Sequence, residues 1–474
     1  MTKNHKLGLW VLTSLVVGNM VGSGIFMLPR SLAEAASPAG VIGAWILTGF
    51  GVLMTALVFG NLAIRKPHLT GGPQIYAKEL FPPNTNASVI TGFMASWGYW
   101  IGNLAGNIAI ITTFTSYLST FFPILTNQTE WFTIGTLTIK VGNGLTFLIS
   151  SLLLWGIHWI LLHGVDQAGK LNLAATVAKV VGFVVFIIIG IFAFQKANIL
   201  PFNEPRIGAS GESLSLFGQI NRAALTTLWA FIGMESAVVF ASRAKKQQDV
   251  KRATIFGLLI ALILYIAIST LVMGMLTQTQ LIQSDKPLID AIETVLGPIG
   301  GKLLAGLGLI SLVGSAIGWV MLSAEVPYQA AKQGIFIPAF QKENKQGIPI
   351  FSMIITNGIG QLFILSTISN SISQAFDFVI YIATLSYLIP YFIASIFQLK
   401  LVFTGDTYVF KKQQITDGII ATIATIYSIW VIFAGTADIK TFMFGMLLLA
   451  SGLLFIKYLP LSHRKKYSIV EEIE

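Results

Sequence analysis

Two apolar segments of this chain are interrupted by glycine: Gly18-Asn19-Met20-Val21-Gly22-Ser23-Gly24-Ile25-Phe26, and Trp229-Ala230-Phe231-Ile232-Gly233-Met234-Glu235-Ser236. Neither sets a nucleophile beside a base. What an interrupted helix offers is its own backbone. Unwinding exposes N–H groups at the start of the second half-helix, beside the positive end of its dipole, and a carboxylate fits there. Carbonyls freed at the end of the preceding half, and those around Ile232, can accept hydrogen bonds from an ammonium group. A zwitterionic head is thereby matched without a charged side chain, which makes Val21, Gly22, Ser23, Gly24, Ile232 and Gly233 candidate binding residues. The competing reading of the first segment is helix packing, because Gly18 and Gly22 form a GxxxG pair that lets two helices approach closely.

Side chains of unusual type lie in the same apolar surroundings. Ser96, Trp100, Asn103 and Asn107 recur at steps of three and four, so one helical face is polar and is expected to line a cavity. Interhelical hydrogen bonding is the alternative for Asn107. Ser311, Ser315, Trp319 and Ser323 form a second stripe at steps of four. Trp319 lies well inside its span, whereas the tryptophans of an interfacial belt, a further alternative, sit at helix ends. It is either core packing or a face for a guanidinium or ammonium, a cation–π contact of about 2 kcal/mol when desolvated.

Two charges are buried in apolar sequence. Glu235 costs about 3 kcal/mol or more at such depth unless paired, hydrated or protonated, so it is either a hydrogen-bond hub or a proton-linked group that senses a cationic substrate. Lys179, between Ala178 and Val180, either snorkels to a nearby surface or supplies a fixed positive charge inside the protein.

The elements that must position these residues are membrane helices. Of 474 residues, 54% are hydrophobic and only 11% charged, and the mean hydropathy is +0.76. Apolar runs long enough to cross about 30 Å of hydrocarbon recur from end to end. Segments such as Phe183 to Phe194 are apolar on all faces, which excludes the alternating pattern of a β-barrel. Twelve spans are expected, near 8–36, 40–64, 87–122, 144–162, 172–194, 219–241, 253–276, 302–327, 349–369, 375–398, 417–436 and 441–458. Most of the 30 Lys and Arg, among them Arg65, Lys66, Arg243, Lys245, Lys246, Lys251, Arg252, Lys411 and Lys412, then fall on one side. The positive-inside rule puts that side, and both termini, in the cytoplasm. The same reading accounts for the net charge of +10 without a nucleic acid partner.

A cleavable leader is the other reading of the start, since Lys3 and Lys6 precede an apolar stretch and Ala33-Glu34-Ala35 imitates a cleavage site. The glycine break and eleven further spans argue against it. With no cysteine, thiol nucleophiles, thiolate metal sites and disulfides are excluded. The glycine breaks fall in spans 1 and 6, corresponding members of two five-helix repeats, and such a matched pair points to a transporter site.

These residues carry a resemblance. The two broken segments, with Gly71-Gly72-Pro73-Gln74-Ile75-Tyr76-Ala77, Trp100-Ile101-Gly102-Asn103, Gly318-Trp319 and Lys332-Gln333-Gly334-Ile335-Phe336, resemble the amino acid-polyamine-organocation superfamily. Within it the chain is most similar to the basic amino acid/polyamine antiporters, such as arginine/agmatine and arginine/ornithine exchangers. The resemblance covers most of the first ten spans. It implies an all-α polytopic fold of leucine-transporter type, a single permease domain with five plus five inverted helices (1–195 and 219–400) and two more (417–458). It also implies that Asn103 faces the substrate's cationic side chain, that Trp319 contacts it, and that Trp229 acts as an aromatic gate. Lys179 resembles the lysine of sodium-independent members, where an ammonium replaces a sodium ion and ties span 5 to the unwound part of span 1. Arginine/agmatine exchangers differ there, and they have a serine where this chain has Ala383; the adjacent Thr384 is taken as the candidate binding residue.

Exchange of cationic amino acids is therefore the leading expectation, by alternating access and with no cofactor. Uptake of neutral amino acids is the runner-up, because no acidic residue is evident around the expected pocket. A channel would need a continuous polar path. A membrane enzyme would need a catalytic constellation, and His5, His68, His158, His163 and His463 form none. The expected partners are small amino acids and membrane lipid, with a homodimer left open.

Overall fold

The computed structural model describes residues 7–22, 24–69, 72–135, 137–163, 166–208, 211–239, 241, 244–344, 347–369, 372–436 and 438–460. Ser23 and Gly71, named above, lie outside the described residues. The chain is mostly helical. Helices α1 (Leu9–Met20) and α2 (Gly24–Ala35) form one segment bent by 49°. They are followed by α3 (Pro38–Arg65), a short α4 (Gln74–Lys78), α5 (Asn86–Leu118), α6 (Val141–His163) and α7 (Asp166–Ala193). The second half starts with α8 (Leu216–Ala230) and the single turn α9 (Ser236–Val239), then α10 (Gln247–Met275), a short α11 (Gln278–Gln283) and α12 (Pro287–Lys332). It continues with α13 (Ile350–Ile364), α14 (Ser366–Ser369), α15 (Ile372–Thr404), α16 (Lys411–Gly435) and α17 (Ile439–Ala450), the last prolonged as a 3-10 helix over Ser451–Tyr458. Among the described residues nine helices are long and apolar enough to cross a membrane, or ten if the bent pair counts as one.

Local chemistry sets the ends. Ser37 caps α3 ahead of Pro38 at its first position, and the Ser215 hydroxyl accepts from Gly218 N at 3.2 Å to start α8. Helix α12 begins earlier than the expected 302, at Pro287, but Gly297 at φ 66° breaks it before Pro298, which disfavours helical geometry in the residue preceding it, so the part after the break starts close to the expected span. Outside the long helices two small hairpins form, Glu130–Ile134 with Leu137–Lys140 and Arg206–Ile207 with Ser213–Leu214.

Helix α5 is the inner pillar, buried along most of its length and packed on α12 and α15. Gly98, Gly102 and Gly106 recur at steps of four and make a smooth ridge on it. A Cβ at Gly102 would stand 2.7 Å from the Tyr387 ring of α15, and one at Gly98 would stand 3.2 Å from the Ser386 carbonyl. The outside is apolar. Helix α7 exposes Val180, Val184, Ile188, Ile191 and Phe192, as a lipid-facing surface should.

At the end where α3 finishes, α10 and α16 begin. There Arg65 pairs with Asp417 at 2.6 Å, Asn61 donates to Asp417 at 3.0 Å, and Lys251 donates to Asn61 at 2.7 Å. Asp417 and Arg65 are nearly buried, so this mutually satisfied cluster ties three helices together.

Candidate functional site

The two interruptions meet in the middle of the bundle. After Met20 the chain leaves helical geometry, with Val21 N bonded to Val17 O at 2.8 Å and Gly22 N to Met20 O at 2.7 Å. After Ala230 the chain runs through Phe231, Ile232, Gly233, Met234 and Glu235 before α9 starts. Gly233 has φ 104°, and a Cβ there would lie 3.1 Å from the backbone carbon of Asn19. Asn19 Nδ2 also donates to Ser236 Oγ at 2.7 Å, so each break supports the other.

The GxxxG alternative for span 1 finds no support in the contacts. A Cβ on Gly18 would meet nothing within 4 Å, and one on Gly22 would meet only its own segment's backbone at 3.7 Å. The carbonyl of Gly18 has another use: Lys179 Nζ of α7 donates to it at 3.3 Å and to Ser315 Oγ of α12 at 3.4 Å. Lys179 thus points inward and connects α7 to α1 and α12, rather than to the surface.

A small pocket lies against both breaks. It is lined by Asn19, Met20, Gly22, Gly24, Ile110, Trp229, Ala230, Ile232 and Trp319, none of them charged. Five of the expected residues, Gly22, Gly24, Trp229, Ile232 and Trp319, are therefore brought together. The pocket measures only about 10 Å³, room for roughly one water. The rings of Trp229 and Trp319 fill the rest, with centroids 6.1 Å apart. Gly24 opens α2 with a would-be Cβ 3.2 Å from Trp229 Nε1, and Gly106 faces both indoles at 2.6 and 2.8 Å. The carbonyl of Ile232 accepts no hydrogen bond among the described residues and stays available to a donor.

Asn103 is fully buried on α5 beside this pocket. Its Nδ2 donates to Tyr99 O at 2.6 Å and its backbone carbonyl accepts from Ser323 of α12 at 3.0 Å, while its Oδ1 has no partner. Asn107 Oδ1 is likewise buried and unpartnered, so the two asparagines flanking Gly106 each present an open acceptor. The rest of the α5 stripe departs from expectation. Ser96 bonds back to Gly92 O and Trp100 donates to Thr356 of α13, so these two serve packing, not a cavity. Val21 and Thr384 are buried but line no part of the pocket; the Thr384 hydroxyl is committed to Ile380 O at 2.7 Å.

Glu235 is buried just beyond the second break. One carboxylate oxygen accepts from Tyr99 Oη of α5 at 2.9 Å. The other accepts from Tyr391 Oη of α15 at 2.7 Å and from Gly233 N at 3.1 Å. Three donors converge on one carboxyl group, which holds the broken segment to α5 and α15. The tyrosines, Gly106 and Asn19 are contributors that the sequence reading did not single out. The glycine ridge was readable from its spacing of four, whereas the tyrosines carry no local signal.

Comparisons with known proteins agree with this architecture. Residues 7–453 match the model of a family described as amino acid permease. A Bacillus subtilis (strain 168) protein with the curated name "Putative arginine/ornithine antiporter" is 48% identical, over 98% of this chain and 99% of its own length. An arginine/ornithine antiporter of Pseudomonas aeruginosa is 35% identical over 96% of this chain and 91% of its own, and an arginine/agmatine antiporter of Chlamydia abortus 33% identical over 95% and 89%. With its repeated apolar helices and a family match across nearly its whole length, the chain is a multi-pass membrane protein that belongs to the amino acid permease family.

Proposed function

We propose that this protein exchanges cationic amino acids across the membrane, arginine for ornithine being the type, by alternating access around the central pocket. The observation that carries this reading is the meeting of Gly22, Gly24 and Ile232 of the two breaks with Trp229 and Trp319 around one uncharged pocket. The N-terminus of α2 would receive the α-carboxylate. The open Ile232 carbonyl would receive the α-ammonium. The side chain would extend toward Trp319 and the free oxygen of Asn103, which together suit a guanidinium without a carboxylate. Because the pocket as it stands has room for about one water, Trp229 and Trp319 must part to admit substrate.

This reading takes the helices as twelve spans, two five-helix repeats of opposite topology followed by a pair, with both termini cytoplasmic on the positive-inside rule. Thr384 is retained as a binding residue reached after rearrangement of α15. Glu235 and Lys179 are the coupling groups: the anion links substrate occupancy to protonation, and the cation stands where a sodium ion would otherwise be needed. All the proposed residues come from one chain, so a homodimer is not required to complete the site.

The relatives named as antiporters of arginine with ornithine or agmatine support a cationic substrate. The absence of an acidic residue among the described pocket residues favours the second reading, a neutral amino acid permease. Counterflow separates the two. Proteoliposomes preloaded with ornithine should accumulate labelled arginine, whereas preloading with alanine should not; no arginine uptake under either preload, together with accumulation of labelled alanine by alanine-loaded vesicles, would establish the neutral reading. Trp319→Leu should then weaken arginine about 30-fold more than its uncharged isostere citrulline, as a desolvated cation–π contact of about 2 kcal/mol requires. Equal losses, measured by competition binding, would reassign Trp319 to packing.

A further inference from the structure

A second and far larger cavity, about 550 Å³, lies at the end of the bundle away from the Arg65–Asp417 cluster, between α2, α8, α15 and the α16–α17 junction. Its volume suits a small ligand, as pockets of roughly 300–1,000 Å³ do. Its wall is charged with both signs: Glu34, Asp377 and Asp438 against Arg222 and Lys440. Arg30, behind the wall, binds Asp377 at 2.7 Å and Glu34 at 3.3 Å. Among the described residues Asp438 is the wall acid without an arginine or lysine in contact; its oxygens accept from Thr441 N at 3.2 Å and Thr441 Oγ1 at 2.7 Å as the cap of α17, Arg222 Nη1 donates to Ile207 O at 3.1 Å, and Glu34 remains about half exposed.

The position of the cavity relates it to the central pocket. Leu225 and Ile380, which line it, stand one helical turn before Trp229 and Thr384 on α8 and α15. The Thr384 hydroxyl is bonded to the Ile380 carbonyl itself. On α2 the lining residues Ser31 and Ala35 follow Gly24 at steps of seven and four. The cavity therefore sits on the faces of α2, α8 and α15 that also carry the central residues, one to three turns farther out.

We propose that this recess is a second binding site, a staging site for a cationic amino acid waiting outside the closed Trp229–Trp319 pair. The α-carboxylate is held by Arg222 and Lys440, and the side-chain cation by Asp438 and Glu34. An arginine-sized ligand cannot enter the central pocket until the indoles part, yet it fits the recess at once, so the two compartments fill in sequence. The proposal rests on the functional reading above, since it assigns both sites the same substrate class.

Equilibrium dialysis of the purified full-length protein with labelled L-arginine tests it. The expected result is two arginines per chain. Combining Glu34→Gln with Asp438→Asn should reduce this to one, with the remaining affinity unchanged. Lys440→Gln, at an exposed position that places no demand on folding, should weaken only the second site, by about fivefold, the upper end for a single exposed ion pair. Trp319→Leu should impair the other site and leave the recess occupied. One arginine per chain that is lost with Trp319→Leu and indifferent to the recess variants would overturn the staging site while leaving the central reading standing. One arginine that is lost with the recess variants and indifferent to Trp319→Leu would support the recess and overturn the central reading. Two arginines per chain, both unaffected by the recess variants, would also overturn the proposal.

Discussion

The two broken helices are braced by opposite charges. At the span 1 break the brace is a cation: Lys179 donates to a carbonyl of α1 one turn before the interruption. At the span 6 break it is an acid, as the Glu235 carboxyl accepts from Gly233 N and from two tyrosines. The difference follows from which backbone groups each brace meets. A helix that stops leaves carbonyls pointing onward, which favour a positive charge. A segment that restarts leaves amides, which favour a negative one. Each brace satisfies a broken helix end while leaving other groups at the break open for a ligand with the same two charges.

The comparison breaks most sharply at the glycines. Gly233 is constrained by its own backbone, φ 104°, and by the backbone of Asn19 at 3.1 Å. Gly24 is constrained only by side chains, Trp229 and Leu28 at 3.2 Å, which can shift. Gly233→Ala combines about 1 kcal/mol or more of backbone strain with about 1–3 kcal/mol of overlap, and should lower arginine binding by about 100-fold. Gly24→Ala should lose less than about tenfold, and only a branched residue such as Gly24→Val should abolish binding. Calorimetric titration of folded variants gives the ranking. If Gly24→Ala proves as damaging as Gly233→Ala, the α2 N-terminus has no tolerance for a methyl group, and the carboxylate must sit directly on Gly24.

The braces come next. Lys179→Met removes the cation from α1 and α12, which should cost about 1.5–3 kcal/mol and slow exchange by roughly 10- to 100-fold. Exchange by the unsubstituted protein should be the same in sodium as in choline buffer. A sodium requirement there would show that Lys179 does not stand in for the ion. Lys179→Arg should also slow exchange, because a planar guanidinium does not fit the space of an ammonium between Gly18 O and Ser315 Oγ. A silent Lys179→Arg would mean that only charge, not shape, is used at this break.

How much of this was readable beforehand depended on distance along the chain. Glycine marks both breaks directly, as a cluster at the first and as Gly233 alone at the second, since unwinding needs residues that tolerate unusual backbone geometry, and a lysine in an apolar span announces an inward partner. The partners themselves are remote. Tyr99 and Tyr391 stand 136 and 156 positions from Glu235, and Arg65 stands 352 from Asp417, so no periodicity within one helix connects them. The polar stripe of α5 illustrates a different limit. Ser96, Trp100, Asn103 and Asn107 share a helix face by spacing, but α5 is enclosed by several helices. None of the four lines the pocket: the stripe is divided between the buried open acceptors of Asn103 and Asn107 and a contact with α13, at Trp100 and Thr356. The Gly98, Gly102 and Gly106 ridge had a plain spacing signal, and its meaning became evident only with Tyr387 and the two indoles packed against it.

The last effect, about tenfold and close to that of Gly24→Ala, separates a purely structural brace from a proton-coupled group. Glu235→Gln keeps the size of the side chain and one accepting oxygen, but turns the other position into an NH₂ donor facing Tyr391 and Gly233 N, or Tyr99, depending on how the amide is oriented. A tyrosine hydroxyl can rotate to accept from it, whereas the Gly233 amide cannot, so the amide should settle with its oxygen toward Gly233 and its nitrogen toward Tyr99. The net loss at pH 8 should then be a single charge-assisted hydrogen bond and a remote attraction to the cationic substrate, together about tenfold in arginine affinity. Ionised Glu235 attracts that cation and protonated Glu235 does not, so affinity of the unsubstituted protein should fall as pH drops from 8 to 5. The variant should be flat over the same range, and the two curves should converge at the acidic end, where the carboxyl group and the amide are both neutral. Calorimetry across this range in both proteins reads the difference. Parallel curves, offset but equally steep, would show that Glu235 braces the span 6 break without exchanging a proton, and would make the two braces equivalent in kind as well as in place.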